Sequence, residues 1–165
     1  MLLCVASAWA RDATDDQEAR VQVARTGLRI AVRRALHGAL ERLRDAECIK
    51  VFSDFRDGQG NTLQANLDAL GVSAEEHARS IWFVDGSSQR LCRDTTVLAA
   101  TKPGGGVVFV CERFGNFQLS NRRRAEAVLL HEVLHTLGLG ENPPTPREIT
   151  DRVLSRCYAG QPRRM

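Results

Sequence analysis

The amino-acid sequence predicts a single α+β domain, and three observations carry that expectation. Apolar residues return every three or four positions over 15–45, the period of a long amphipathic helix. Short β-branched runs such as 81–84 and 107–110 stand between glycine, proline and aspartate turn signals, as the strands of a small sheet do. Towards the C-terminus a second helical stripe carries two histidines four apart, and a last helix follows a proline-rich crossing.

The first ten residues, MLLCVASAWA, are apolar and end in an A-x-A pattern with Arg11 next. They are expected to be a signal segment, or the tail of one, leaving 11–165 as the folded domain. The long helix over 15–45 places Val21, Ala24, Leu28, Ala31, Ala35, Leu36 and Leu40 on one face and arginines and glutamates on the other. His37 lies on it and is expected to pack without acting as a ligand. The alternating run 48–52, CIKVF, predicts a strand. SDFRDGQGN follows as a turn-rich loop. Its carboxylates lack the ordered spacing of a calcium loop, so turn chemistry is the better account.

Residues 62–70 predict a helix with Gly71 as its stop. Ser73 caps another, with Glu76 placed to complete a capping box, and His77 on it is expected to face solvent or pack. Strands are expected over 81–84, 95–101 and 107–110, the last of a fully buried type. The turn Pro103-Gly104-Gly105-Gly106 precedes a strand, so it is not a phosphate loop, which needs a lysine and a helix start after its glycines. A helix begins near Asn121 and stops at Gly138. Pro143, Pro144 and Pro146 then impose an extended crossing. Thr145 or Pro146 opens the last helix, which turns Ile149, Val153 and Leu154 inward.

With 165 residues, 43% hydrophobic and 26% charged, the chain is large enough for one real core. The net charge is +3, and the densest basic cluster, Arg122 to Arg124, has no aromatic interleaving. That argues against a nucleic-acid binder and for a solvated helix face, with Glu126 as a local partner. No run approaches the length of a membrane-spanning helix, so no membrane partner is expected. Of five cysteines, Cys4 falls in the signal segment, leaving Cys48, Cys92, Cys111 and Cys157. No CxxC pair is present, so two disulfides in an oxidising compartment, secreted or periplasmic, are the simplest expectation. Of three connectivities we expect Cys92–Cys111, bridging neighbouring strands, and Cys48–Cys157, tying the tail to the core. Four reduced, buried thiols are the alternative.

The stretch HEVLHTLGLGE, from His131 to Glu141, carries the chemistry. Two histidines four apart on a helix share a face, one turn above the other. Neutral imidazoles so placed suit a zinc ion, and Glu132 beside the first is positioned as a general base. Ala125, Val128, Leu129, Val133, Leu134 and Leu137 supply the helical stripe that this spacing requires.

This stretch resembles the zincin metallopeptidases, which share an HExxH active helix, and more fully their metzincin branch, HExxHxxGxxH. His131, Glu132, His135 and Gly138 match. Glu141 stands where that branch has histidine or aspartate, and glutamate is also a zinc ligand. The methionine turn of the branch has no counterpart, since the only methionines are Met1 and Met165. The run LGLGENPP is similar to one in small secreted bacterial proteins of no assigned activity. The resemblance implies a zincin-like fold: a long backing helix, a small mixed twisted sheet, the HExxH helix and a C-terminal helix.

It further implies a secreted zinc metalloendopeptidase acting on protein or peptide substrates, expected to be a monomer. Zn2+ would be the cofactor, with His131, His135 and Glu141 as ligands and Glu132 as general base. Glu148 and Asp151 rival Glu141, because other zincins take an acid from a following helix. Tyr158 is a candidate oxyanion donor, and the strand near 95–101 a candidate edge for pairing an extended substrate. The alternatives are a catalytically silent, zinc-containing binding module on the same scaffold, and hydrolysis of a non-peptide amide such as a cell-wall link.

Overall fold

The computed structural model describes residues 19–159, and the expected signal segment with Cys4 lies outside them. The described chain is α+β, with a four-stranded mixed sheet in the order β1-β2-β4-β3. The strands are β1 (Arg20–Gln22), β2 (Trp82–Asp85), β3 (Ala99–Thr101) and β4 (Val107–Val110). β1, β2 and β4 run parallel, and β3 lies antiparallel to β4 as an edge. The glycine turn after Thr101 closes the β3–β4 hairpin, with Gly104 at φ +72°, where a side chain would be strained.

Helices pack on the sheet face carrying Phe83, Val108 and Val110, all of them fully buried. α1 (Thr26–Arg42) turns Leu28, Ala31, Val32, Ala35, Leu36, Ala39 and Leu40 inward against α6 (Phe114–Ser120) and α7 (Arg122–Thr136). α7 is buried along most of its length, because α1, α6, β3 and α8 (Pro146–Cys157) surround it. Beyond its first, arginine-rich turn it is enclosed by these elements and needs no solvent-facing polar stripe. Gly38 of α1 is what lets the two long helices meet: a Cβ there would fall 2.5 Å from the Glu126 carboxyl on α7.

Several expectations are corrected. Of the helix expected over 15–45, residues 15–18 lie outside the described residues, and among those described it begins only at Thr26, because Val21 and Val23 belong to an extended segment whose Arg20–Gln22 part pairs with Trp82–Val84. Period 2 and period 3.6 overlap over so few residues. The strand expected over 48–52 is instead two helical turns, α2 (Ala46–Ile49) and α3 (Val51–Asp54). Its buried members, Cys48, Val51 and Phe52, are spaced three and four apart, and Asp45 caps α2 by accepting from the Glu47 N–H at 2.8 Å. The strand over 95–101 shortens to Ala99–Thr101, after a 3₁₀ turn at Arg90–Arg93. β4 alternates instead of being buried throughout, with Val107 exposed. His37 faces solvent beside Glu41, 3.3 Å away. α6 was not anticipated at all.

Other expectations hold. α4 (Leu63–Leu70) is capped by Thr62 and stopped by Gly71, and α5 (Ala74–Ser80) opens with the Ser73–Glu76 capping box. Arg122 pairs with Glu126 at 3.0 Å. Both disulfides, Cys48–Cys157 and Cys92–Cys111, pair as expected, although the second ties the 3₁₀ turn at Arg90–Arg93 to the end of β4 and does not bridge two strands. Among the described residues no helix is long and apolar enough to cross a membrane. The proline segment is not helical, but it bends instead of extending: the Asn142 N–H donates to the Pro144 carbonyl at 2.7 Å.

Candidate metal centre

α7 presents His131 and His135 on one face, and the chain after its C-terminus returns a carboxylate to them. The Nε2 atoms of the two rings are 2.8 Å apart. Glu141 Oε1 lies 3.5 Å from His131 Nε2 and 3.2 Å from His135 Nε2. Three donor atoms thus converge, all within 4.8 Å of one another. Ligands held at 2.0–2.1 Å around a tetrahedral ion stand about 3.3 Å apart. Both Glu141 distances match that spacing, and the imidazole pair needs to part by roughly half an ångström. Two imidazoles and one carboxylate form a set suited to a first-row divalent ion.

Each ring is held from behind. His135 Nδ1 donates to the Leu139 carbonyl at 2.7 Å, which leaves its Nε2 with a lone pair. His131 Nδ1 meets the Thr150 hydroxyl of α8 at 2.9 Å. A hydroxyl can donate or accept, so Thr150 tolerates either tautomer of His131. Such outer contacts orient metal-binding imidazoles and raise their basicity. Burial, with His135 second, lowers the His131 pKa to about 3, so the ring is neutral over the physiological range. A neutral imidazole is the ligand form.

The turn between helix and carboxylate is also fixed. Gly138 sits at φ +99°, and the Leu137 and Gly138 N–H groups close on the Leu134 and His135 carbonyls. The His135 carbonyl accepts a second bond, from Gly104 N–H at 2.9 Å. The glycine turn of the β3–β4 hairpin therefore caps α7. His77 reaches the same helix and donates from Nε2 to the Thr136 hydroxyl at 2.8 Å, since that hydroxyl gives its own proton to the Val133 carbonyl.

Glu132 lies beside the triad and is 5% exposed. The Thr101 backbone of β3 weakly favours its ionised form, while its Oε2 is buried without a protein partner. Burial first, and the Glu141 charge second, push its pKa up to about 8. A cation among the three donors would favour the ionised form instead. An unsatisfied carboxyl oxygen of this kind asks for a water, a proton or a cation next to it.

All four residues face a cleft of about 450 Å³ between α7 and the edge strand β3, with Val97, Pro103, Val128 and Pro146 among its apolar walls. The rivals to Glu141 are engaged elsewhere. Glu148 closes the capping box of α8 on Thr145, and exposed Asp151 pairs with Arg147. Tyr158 does not reach the cleft either. Its hydroxyl donates to buried Glu126 at 3.0 Å, and its ring lies under the Arg42 guanidinium.

Thr150 and the Leu139 carbonyl are parts of the centre that sequence reasoning passed over. Only Thr150 carried a signal, as a hydroxyl flanking the inward Ile149–Val153 stripe of α8. No family model matches this chain, and no curated protein or solved structure does so either.

Proposed function

We propose that this protein is a zinc-dependent hydrolase, best read as an exported metalloendopeptidase on a zincin-like scaffold. The observation that carries the reading is the convergence of His131, His135 and Glu141 beside a buried, under-satisfied Glu132. His131, His135 and Glu141 would hold the ion. When bound, zinc would supply a Lewis acid that polarises a scissile carbonyl and makes hydroxide accessible near neutral pH. Glu132 takes the proton from the attacking water and returns it to the leaving amine. β3 is a sheet edge along the cleft, so an extended peptide can add to it by main-chain hydrogen bonds with little demand on sequence. Two disulfides agree with export to an oxidising compartment.

The test joins metal content with turnover. Purified protein is expected to bind one zinc per chain and to cleave an unfolded, disulfide-free protein. Glu132→Gln should abolish cleavage and keep the zinc. One zinc without cleavage in the parent chain would make it a binding module, and no zinc uptake would remove the reading.

A further inference from the structure

The loop SDFRDGQGN lies far from the histidines in sequence, yet it reaches the turn that follows them. Asp57 forms an isolated antiparallel bridge with Leu139. Its carboxylate accepts from the backbone N–H groups of Gln59 and Asn61, both at 2.9 Å, and from the Asn61 amide at 3.2 Å. Those bonds make it rigid, and with the Asn66 bond as the largest cause they hold its pKa down at about 2. Asn66 on α4 spends one amide hydrogen on Asp57 Oδ2 at 3.0 Å and the other on the Leu137 carbonyl at 2.9 Å. Gly138 passes so close that a Cβ there would stand 3.2 Å from the Asp57 Cβ.

We propose that Asn66 and Asp57 are positioning residues of the metal centre, clamping the Leu137–Leu139 turn from outside. The inference rests on the metal reading above. Neither residue touches a ligand. They act through two consequences of the turn's path: the Leu139 carbonyl is aimed at His135 Nδ1, and the chain is sent back so that Glu141 meets both imidazoles. An amide is required at position 66, because a carboxylate of the same shape cannot donate to Leu137 and would repel Asp57. Loosening the turn lets the third donor wander, which weakens the ion more than it weakens the fold.

The experiment titrates metal-free full-length protein with Co2+ and follows its visible absorption, together with the thermal midpoint of the metal-free form. Asn66→Asp and Asp57→Asn should each weaken Co2+ about tenfold, the lower end of what direct outer contacts to metal ligands cost because these two act through the turn, and should change the absorption band. Gln64→Ala removes the Gln64–Asp68 bond of the same helix and serves as the control. It should leave both the affinity and the band unchanged. Parental Co2+ affinity and band in either variant would overturn the clamp while leaving the metal centre standing. A parent chain that takes up no Co2+ would overturn both. If Asn66→Asp does not fold, Asp57→Asn decides the matter by the same readout.

Discussion

His131 Nδ1 stands 2.9 Å from the Thr150 hydroxyl, so the last helix of the fold supports the centre without supplying a ligand. The acids of that helix, Glu148 and Asp151, point to its cap and to solvent. When His131 offers its Nε2 lone pair to an ion, its Nδ1–H needs an acceptor, and Thr150 Oγ1 is the one within reach. Thr150→Val keeps the shape and removes that acceptor. It should weaken zinc by roughly tenfold, with Thr150→Ser close to the parent. Competition against a chromophoric chelator reads this directly. Unchanged affinity in the valine variant would mean that Thr150 only packs.

What could be read from the sequence was what local chemistry decides. The spacing of His131 and His135, the cap at Ser73 and the stop at Gly71 depend on neighbours within a turn or two. β1 was missed because its partner, β2, lies some sixty residues on, and only that pairing distinguishes Val21 and Val23 from a helix start. The run 48–52 alternates like a strand, yet its Cys48 sulfur bonds Cys157 of α8 and its main chain closes locally. Glu141 came from a resemblance, and the folded turn brings its carboxylate to 3.5 and 3.2 Å from the two imidazoles. The clamp at Asn66 had no local signal, because an asparagine on a helix surface looks the same whether or not a distant carbonyl comes to meet it.

Gly38 and Glu126 define the closest approach of α1 and α7. An added methyl at Gly38 would sit 2.5 Å from the Glu126 carboxyl, a buried group that also receives the Tyr158 hydroxyl and Arg122. Moving that carboxyl breaks its hydrogen bonds, and not moving it overpacks the helix pair. Gly38→Ala should therefore destabilise by about 2 kcal/mol despite the better helix propensity of alanine. Gly27, in the first turn of the same helix, has nothing within 4 Å of its added Cβ. Gly27→Ala should be neutral or stabilising by up to about 1 kcal/mol. Urea unfolding of both variants tests the contrast, and equal midpoints would refute it.

Glu75 joins the end of the first long helix to α5. Its carboxylate accepts from Arg44 at 3.0 and 2.8 Å and from Arg79 at 3.2 and 2.8 Å. Arg44, followed by Arg79, holds its pKa down at about 2 against an ordinary 4.5, with burial opposing. A carboxyl whose folded pKa is depressed adds stability above its unfolded pKa and loses that stability as pH falls towards the folded value. The window here runs from about 4.5 down to about 2. The group is partly exposed, so solvent screening reduces the contribution to about 1 kcal/mol, well below the full shift. Wild type should exceed Glu75→Gln by about that amount at pH 7, and the two should converge towards pH 2. Denaturant unfolding across that range measures the difference, and a gap that persists or widens at low pH would show that the Arg44–Glu75–Arg79 network is not the source.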